Sequence, residues 1–123
     1  DLAVVINNFA PDVLVVQYSD NVVNLDAVAR FPATYNELLD SVNTRTLVCV
    51  SGWYQTRPPL NEAIQAACAQ RSGHYVTIGD IFTANNMRGS SFDTGMNTGV
   101  GSHPNSLGHF EIARRVVTAL END

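Results

Sequence analysis

Apolar residues follow two rhythms along the chain. Leu2, Val5, Ile6 and Phe9 recur at i, i+3, i+4 and i+7, the spacing of one helical face, and Pro11-Asp12 closes that segment. The run VLVVQY (13–18) is apolar almost throughout, which predicts a short strand buried on both faces of a sheet. Phe31, Tyr35, Leu38, Leu39 and Val42 form a second helical stripe, with Pro32 suited to a first turn. TLVCVS (46–51) reads as another buried strand. Ile64, Ala67 and Cys68 point inward from a helix near 61–72 that Gly73 stops. HYVTIGDIF (74–82) contains a third strand. A polar stretch, 84–105, leads to a final helix expected to turn Leu107, Phe110, Ala113, Val117 and Leu120 inward, capped by Asn105 or Ser106.

The order is helix, strand, helix, strand, helix, strand, helix. Apolar strands joined by helical crossovers predict a parallel sheet covered on both faces, a flavodoxin-like three-layer α/β/α arrangement. Neither a repeat nor a linker interrupts the pattern, so 1–123 reads as one α/β domain. Ligands of such sheets bind beyond the carboxyl ends of the strands. The loops at that rim are 19–24, 52–59 and the segment that ends in His103.

Composition narrows the function. The 123 residues carry a formal net charge of −5, with 7 basic against 12 acidic side chains, which argues against general nucleic-acid affinity. No apolar run approaches the roughly 20 residues that span a bilayer. The chain starts at Asp1, so its first residues carry no information on targeting, and the compartment stays open. Two cysteines are too few for a disulfide framework and lack zinc spacing; they read as small buried apolar residues, with a disulfide as the alternative. The loop GMNTGVGS (95–102) lacks the lysine and the preceding strand of a phosphate loop. No metal or cofactor is implied.

Two stretches, PDVLVVQYSDN (11–21) and GVGSHPNSLGHFEIA (99–113), together resemble the SGNH, or GDSL-type, serine hydrolases. In that family a strand of the form P-D-[apolar]-Q-x-G-x-N ends in an oxyanion-hole asparagine, and a late H-P-N-x-x-G-H segment supplies the catalytic histidine. The resemblance implies Asn21 as oxyanion donor and His103 as general base, with Ser19 and Asp20 standing where a glycine and an acidic or variable residue are usual. These residue types suit ester hydrolysis. Imidazole titrates near working pH, and an amide donates to a developing oxyanion without adding charge. The resemblance implies a small acyl ester as substrate, acylated carbohydrates among them.

The chain departs from the family pattern twice. Val100 occupies the position of the aspartate that commonly orients the histidine; Asp93 is a substitute that no spacing specifies. The family's Gly-Asp-Ser nucleophile motif has no counterpart here, and Ser51, in VSGW, lacks a strand–turn–helix elbow. The three strands then correspond to the family's strands 3, 4 and 5, and its strand 1 would pair with 13–18. An N-terminal companion segment or a second copy is therefore expected at that edge. Alone, the chain is expected to be inactive.

Other residues keep plainer readings. Asn21 has an alternative as an ordinary turn former. Trp53 and Tyr54 either stack on a substrate or belong to the core. His109 reads as packing or capping, His74 as structural, and Arg57 and Arg88 as solvated surface. The competing functions are a non-catalytic SGNH-like binding or assembly module and, further off, a nucleotide-binding flavodoxin-like domain.

Overall fold

The computed structural model describes residues 2–54, 57–89 and 101–121. Helix α1 (Leu2–Phe9) leads into strand β1 (Val13–Gln17), and helix α2 (Leu25–Ser41) crosses to strand β2 (Thr46–Val50). Helix α3 (Pro58–Gln70) crosses to strand β3 (His74–Val76), followed by single 3₁₀ turns at Gly79–Ile81 and Ala84–Asn86 and by helix α4 (Ser106–Glu121). The sheet is parallel in the order β1-β2-β3, with Val15 opposite Val48 and Val50 opposite Val76.

Alternation along β2 divides the core between the two faces. Leu47 and Cys49 pack with Phe31, Tyr35 and Leu39 of α2 and with Leu60, Ile64, Ala67 and Cys68 of α3. Val48 and Val50 point the other way, to Trp53, Val76, Ile78 and Ile81, which α4 covers with Ile112, Val116, Ala119 and Leu120. The fold is thus α/β, with helices on both sides of a three-stranded parallel sheet. Among the described residues no helix is long and apolar enough to cross a membrane.

Several expectations need correction. β1 lies at the edge of the sheet as expected, but it is not buried on both faces, with Val13 42% and Val15 46% exposed. Its inner face meets α2 through Leu14 and Val16, while α4 lies over β2 and β3 and leaves the other face of β1 open. α4 also turns differently from the expected stripe. Leu107, Phe110 and Val117 are exposed, and the buried flank runs through Gly108, Ile112, Val116, Ala119 and Leu120. Ala113 and Val117 each follow a covered residue, Ile112 and Val116, and a step of one residue rotates a helix by about 100°.

Pro32 lies inside α2 rather than in its first turn, because Asn24 starts the helix earlier by accepting a 2.7 Å hydrogen bond from the Ala27 N–H. α3 begins at Pro58, and the residue that leaves it in the left-handed region is Ser72 (φ 52°), not Gly73. Gly73 serves a different need: a Cβ there would stand 2.9 Å from Cys68 Sγ and 3.0 Å from the Leu47 carbonyl.

Candidate functional site

The carboxyl rim is assembled from the ends of β1 and β2 and the start of α4. After β1 the chain turns through Ser19–Val22, closed by the Val22 N–H donating to the Ser19 carbonyl at 3.0 Å. The Asp20 carboxylate fastens this turn to the next strand, accepting from the Trp53 backbone N–H at 2.7 Å and from Gln17 Nε2 at 3.2 Å. Close approach depends on Gly52, since a Cβ at that position would lie 2.8 Å from Ser19 Oγ. Asn21, at the tip of the turn, stays exposed. Arg57 is not merely solvated surface: its guanidinium donates to the Val22 carbonyl and holds the far end of the same loop.

The start of α4 is fixed just as firmly. Asn105 is the cap, its Oδ1 accepting from the Gly108 N–H at 2.9 Å. Its Nδ2 donates to the carbonyls of Asn85 and Met87 at 2.8 and 2.9 Å, tying the helix to the preceding 3₁₀ turn. Gly108 lets the helix approach: a Cβ would lie 2.5 Å from the Asn86 carbonyl and 3.2 Å from the Trp53 ring. Trp53 is core, 2% exposed, with its indole N–H donating to the Ser102 carbonyl at 2.8 Å and Phe82 packed edge-on at 5.5 Å. One side chain thus joins β2, the segment before α4 and the helix itself.

Between these parts lies a cavity of about 550 Å³. Gln17, Tyr18, Ser19, Asp20 and Asn21 form one wall, and Pro104, His109 and Ile112 form the other, with Trp53 between them. The structure therefore gathers Ser19, Asp20, Asn21 and Trp53 around one space. The His103 ring is exposed and is not among the lining side chains; its neighbour Pro104 is. The His103 backbone is held by pairing, its carbonyl accepting from the Arg88 N–H at 3.0 Å beside the Met87–Pro104 bridge. Asp93 and Val100, and with them the question of what orients His103, lie outside the described residues.

The imidazole that does line the cavity is His109, which the sequence reading assigned to packing or capping. Its signal was present in the Gly108-His109 pair. The glycine marks where α4 touches the rim, and the next residue on the helix is turned toward the opening. The mistaken helix phase concealed this.

Two serines at the ends of β1 and β2 are enclosed. Ser51 is 1% exposed, and its Oγ accepts the Ile78 N–H at 2.9 Å, so it joins the ends of β2 and β3. Ser19 is 6% exposed, and its hydroxyl is buried without a hydrogen-bond partner. Among the described residues no group of His, Cys, Asp and Glu could hold a metal ion. The cavity thus offers amide groups, the Asp20 carboxylate, one imidazole and apolar walls, a lining suited to a small polar ligand that carries an apolar part and no negative charge.

A second cleft of about 430 Å³ lies at the opposite, amino-terminal rim and includes Arg45, Arg71 and His74. Arg71 has a structural task there. Its N–H groups are committed to Asp40, to Asn36 and to the Ala67 carbonyl, which locks α2 to α3. No protein-family model matches the chain, and neither the curated proteins nor the solved structures contain a match to it.

Proposed function

We propose that this chain is the oxyanion and histidine portion of an SGNH-type serine ester hydrolase acting on small acyl esters, including acylated carbohydrates. The observation that carries the reading is the convergence of two separate loops: Asn21 after β1 and Pro104, adjoining His103, border the same cavity. In this reading the Asn21 amide donates to the developing oxyanion and His103 is the general base. β1, β2 and β3 are then the third, fourth and fifth strands of a doubly wound sheet.

In this reading the nucleophilic serine comes from another segment, since Ser19, the serine that lines the cavity, is buried and the Gly-Asp-Ser motif has no counterpart in the chain. That segment, an N-terminal companion or a second copy, pairs with the outer edge of β1. The exposed side chains of Val13 and Val15 supply apolar surface for it. A non-catalytic binding module is the second reading. The burial of Ser19 and Ser51 favours it.

Light scattering and p-nitrophenyl acetate assays on the same samples test the proposal. The 123 residues alone are expected to self-associate or to need a companion, and to show no turnover. With the serine-bearing segment present, turnover is expected, and Asn21→Ala should lower it about 100- to 1,000-fold. A stable monomer at high concentration would argue against the edge partner. Turnover by the 123 residues alone that vanishes in His103→Ala would place the nucleophile within them.

A further inference from the structure

Cys49 lies in β2, and Cys68 lies near the end of α3. Both are free and completely buried, in the core cluster that α2 and α3 close over the sheet. The chain beyond α3 fixes the position of Cys68. The Gly73 N–H donates to the Cys68 carbonyl at 3.0 Å, and the space a Gly73 Cβ would need is bounded by Cys68 Sγ and Leu47. Cys68 thus sits in the same core cluster as Cys49, where α3 packs on β2.

The two thiols and the Tyr35 hydroxyl make one enclosed cluster of ionisable groups. Hydrogen bonding from the Cys68 thiol holds Cys49 below the ordinary thiol range, at about 7, against the opposing effect of burial. The same interaction pushes Cys68 up, and burial adds to it. Burial raises Tyr35, and its interaction with the Cys49 thiol adds to the rise. The two thiols are thus neighbours in one enclosed cluster of the folded chain.

We propose that Cys49 and Cys68 are a latent disulfide site, which a low-molecular-weight disulfide such as oxidised glutathione converts to an intrachain bridge between β2 and α3. The pair is enclosed in the folded chain, so exchange takes place before the core closes or while α3 is transiently lifted from β2. The Cys49 thiolate attacks one sulfur of the oxidant, and the other half of the oxidant leaves as a thiolate. The Cys68 thiol gives up its proton to solvent, attacks the Cys49 sulfur of the mixed disulfide and expels the second half. Two electrons pass from the cysteine pair to the oxidant, giving one protein disulfide and two small thiols once solvent returns the protons. The bridge closes a loop of roughly 20 residues and so limits the unfolded chain, making stability depend on redox poise.

The test is to refold the reduced, unfolded chain in a mixture of oxidised and reduced glutathione and in reductant alone. Intact mass, a non-reducing peptide map and thermal melting are then read on both samples. The oxidised sample should lose two hydrogens in mass, yield one cross-linked peptide containing Cys49 and Cys68, and melt cooperatively several degrees higher. Reductant should return the lower midpoint. Cys68→Ala should carry a glutathione adduct on Cys49 in place of the cross-link. A cooperatively folded chain with both thiols still titratable after denaturation would overturn the proposal. So would a cross-link confined to chains without a cooperative melt.

Discussion

Trp53→Ala is expected to lower the stability of the chain by about 3–5 kcal/mol, the range for emptying a large buried aromatic site. A domain of this kind has about 5–15 kcal/mol in total, so the variant should stand close to unfolding. Trp53 packs in the cluster that contains Val48, Val50, Val76, Ile78 and Ile81, and its indole meets Phe82 edge-on. Its loss would also strip the Ser102 carbonyl of its 2.8 Å donor and remove the surface on which Gly108 rests. Equilibrium unfolding in urea measures this as a large fall in midpoint at unchanged slope. Trp53→Phe separates the contributions: it keeps a ring but loses the N–H donor, so a smaller loss is expected. A fall below about 1 kcal/mol for the alanine variant would mean that the indole is not the piece joining β2 to α4.

Gly108→Ala sets two effects of opposite sign against each other. In an exposed helix interior the change from glycine to alanine stabilises by about 1 kcal/mol. Here the new methyl would lie 2.5 Å from the Asn86 carbonyl and 3.0 Å from Pro104 Cβ. That carbonyl cannot easily move, because it accepts the Asn105 N–H at 2.9 Å and Asn105 caps the same helix. Overpacking of this kind costs about 1–3 kcal/mol, so net destabilisation is expected. The helix should shift outward at its first turn, taking His109 away from the cavity wall. Urea unfolding reads the sign, and a net gain in stability would show that α4 is not seated as described.

The sequence made the architecture readable where burial dictates pattern. TLVCV is buried from its second residue onward, so its unbroken apolar run had one interpretation. VLVVQ looks the same on paper, yet β1 is not buried on both faces; an apolar run records what a strand can bury, not what covers it. α4 shows a second limit. It carries two apolar stripes, and only the sheet beneath determines which of them turns inward. Taking Leu107, Phe110 and Val117 as the inner stripe hid Gly108 as the contact point and His109 as the cavity imidazole.

The rim was legible in part for a similar reason. Ser19, Asp20 and Asn21 directly follow a strand, so their place at the carboxyl rim follows from topology alone. The hydrogen bond from the Trp53 N–H to Asp20 and the tie from Arg57 to the Val22 carbonyl join residues more than thirty positions apart, and no local pattern announces them. Asn105 was one of two candidate caps. Its second task, holding the carbonyls of Asn85 and Met87, needs the tertiary fold to be seen.

The proposed function depends on an amide from one loop and an imidazole from another addressing a single bound acyl group. Nuclear magnetic resonance titration of the labelled chain with an O-acetylated methyl glucoside examines that directly, since on the proposed reading the 123 residues bind the ester and leave it intact. The account predicts that the Asn21 side-chain amide and the ring signals of His103 and His109 shift along one saturation curve with a common Kd. Shifts confined to Arg45 and His74 at the opposite rim, or an Asn21 amide unmoved while the histidines respond, would contradict it.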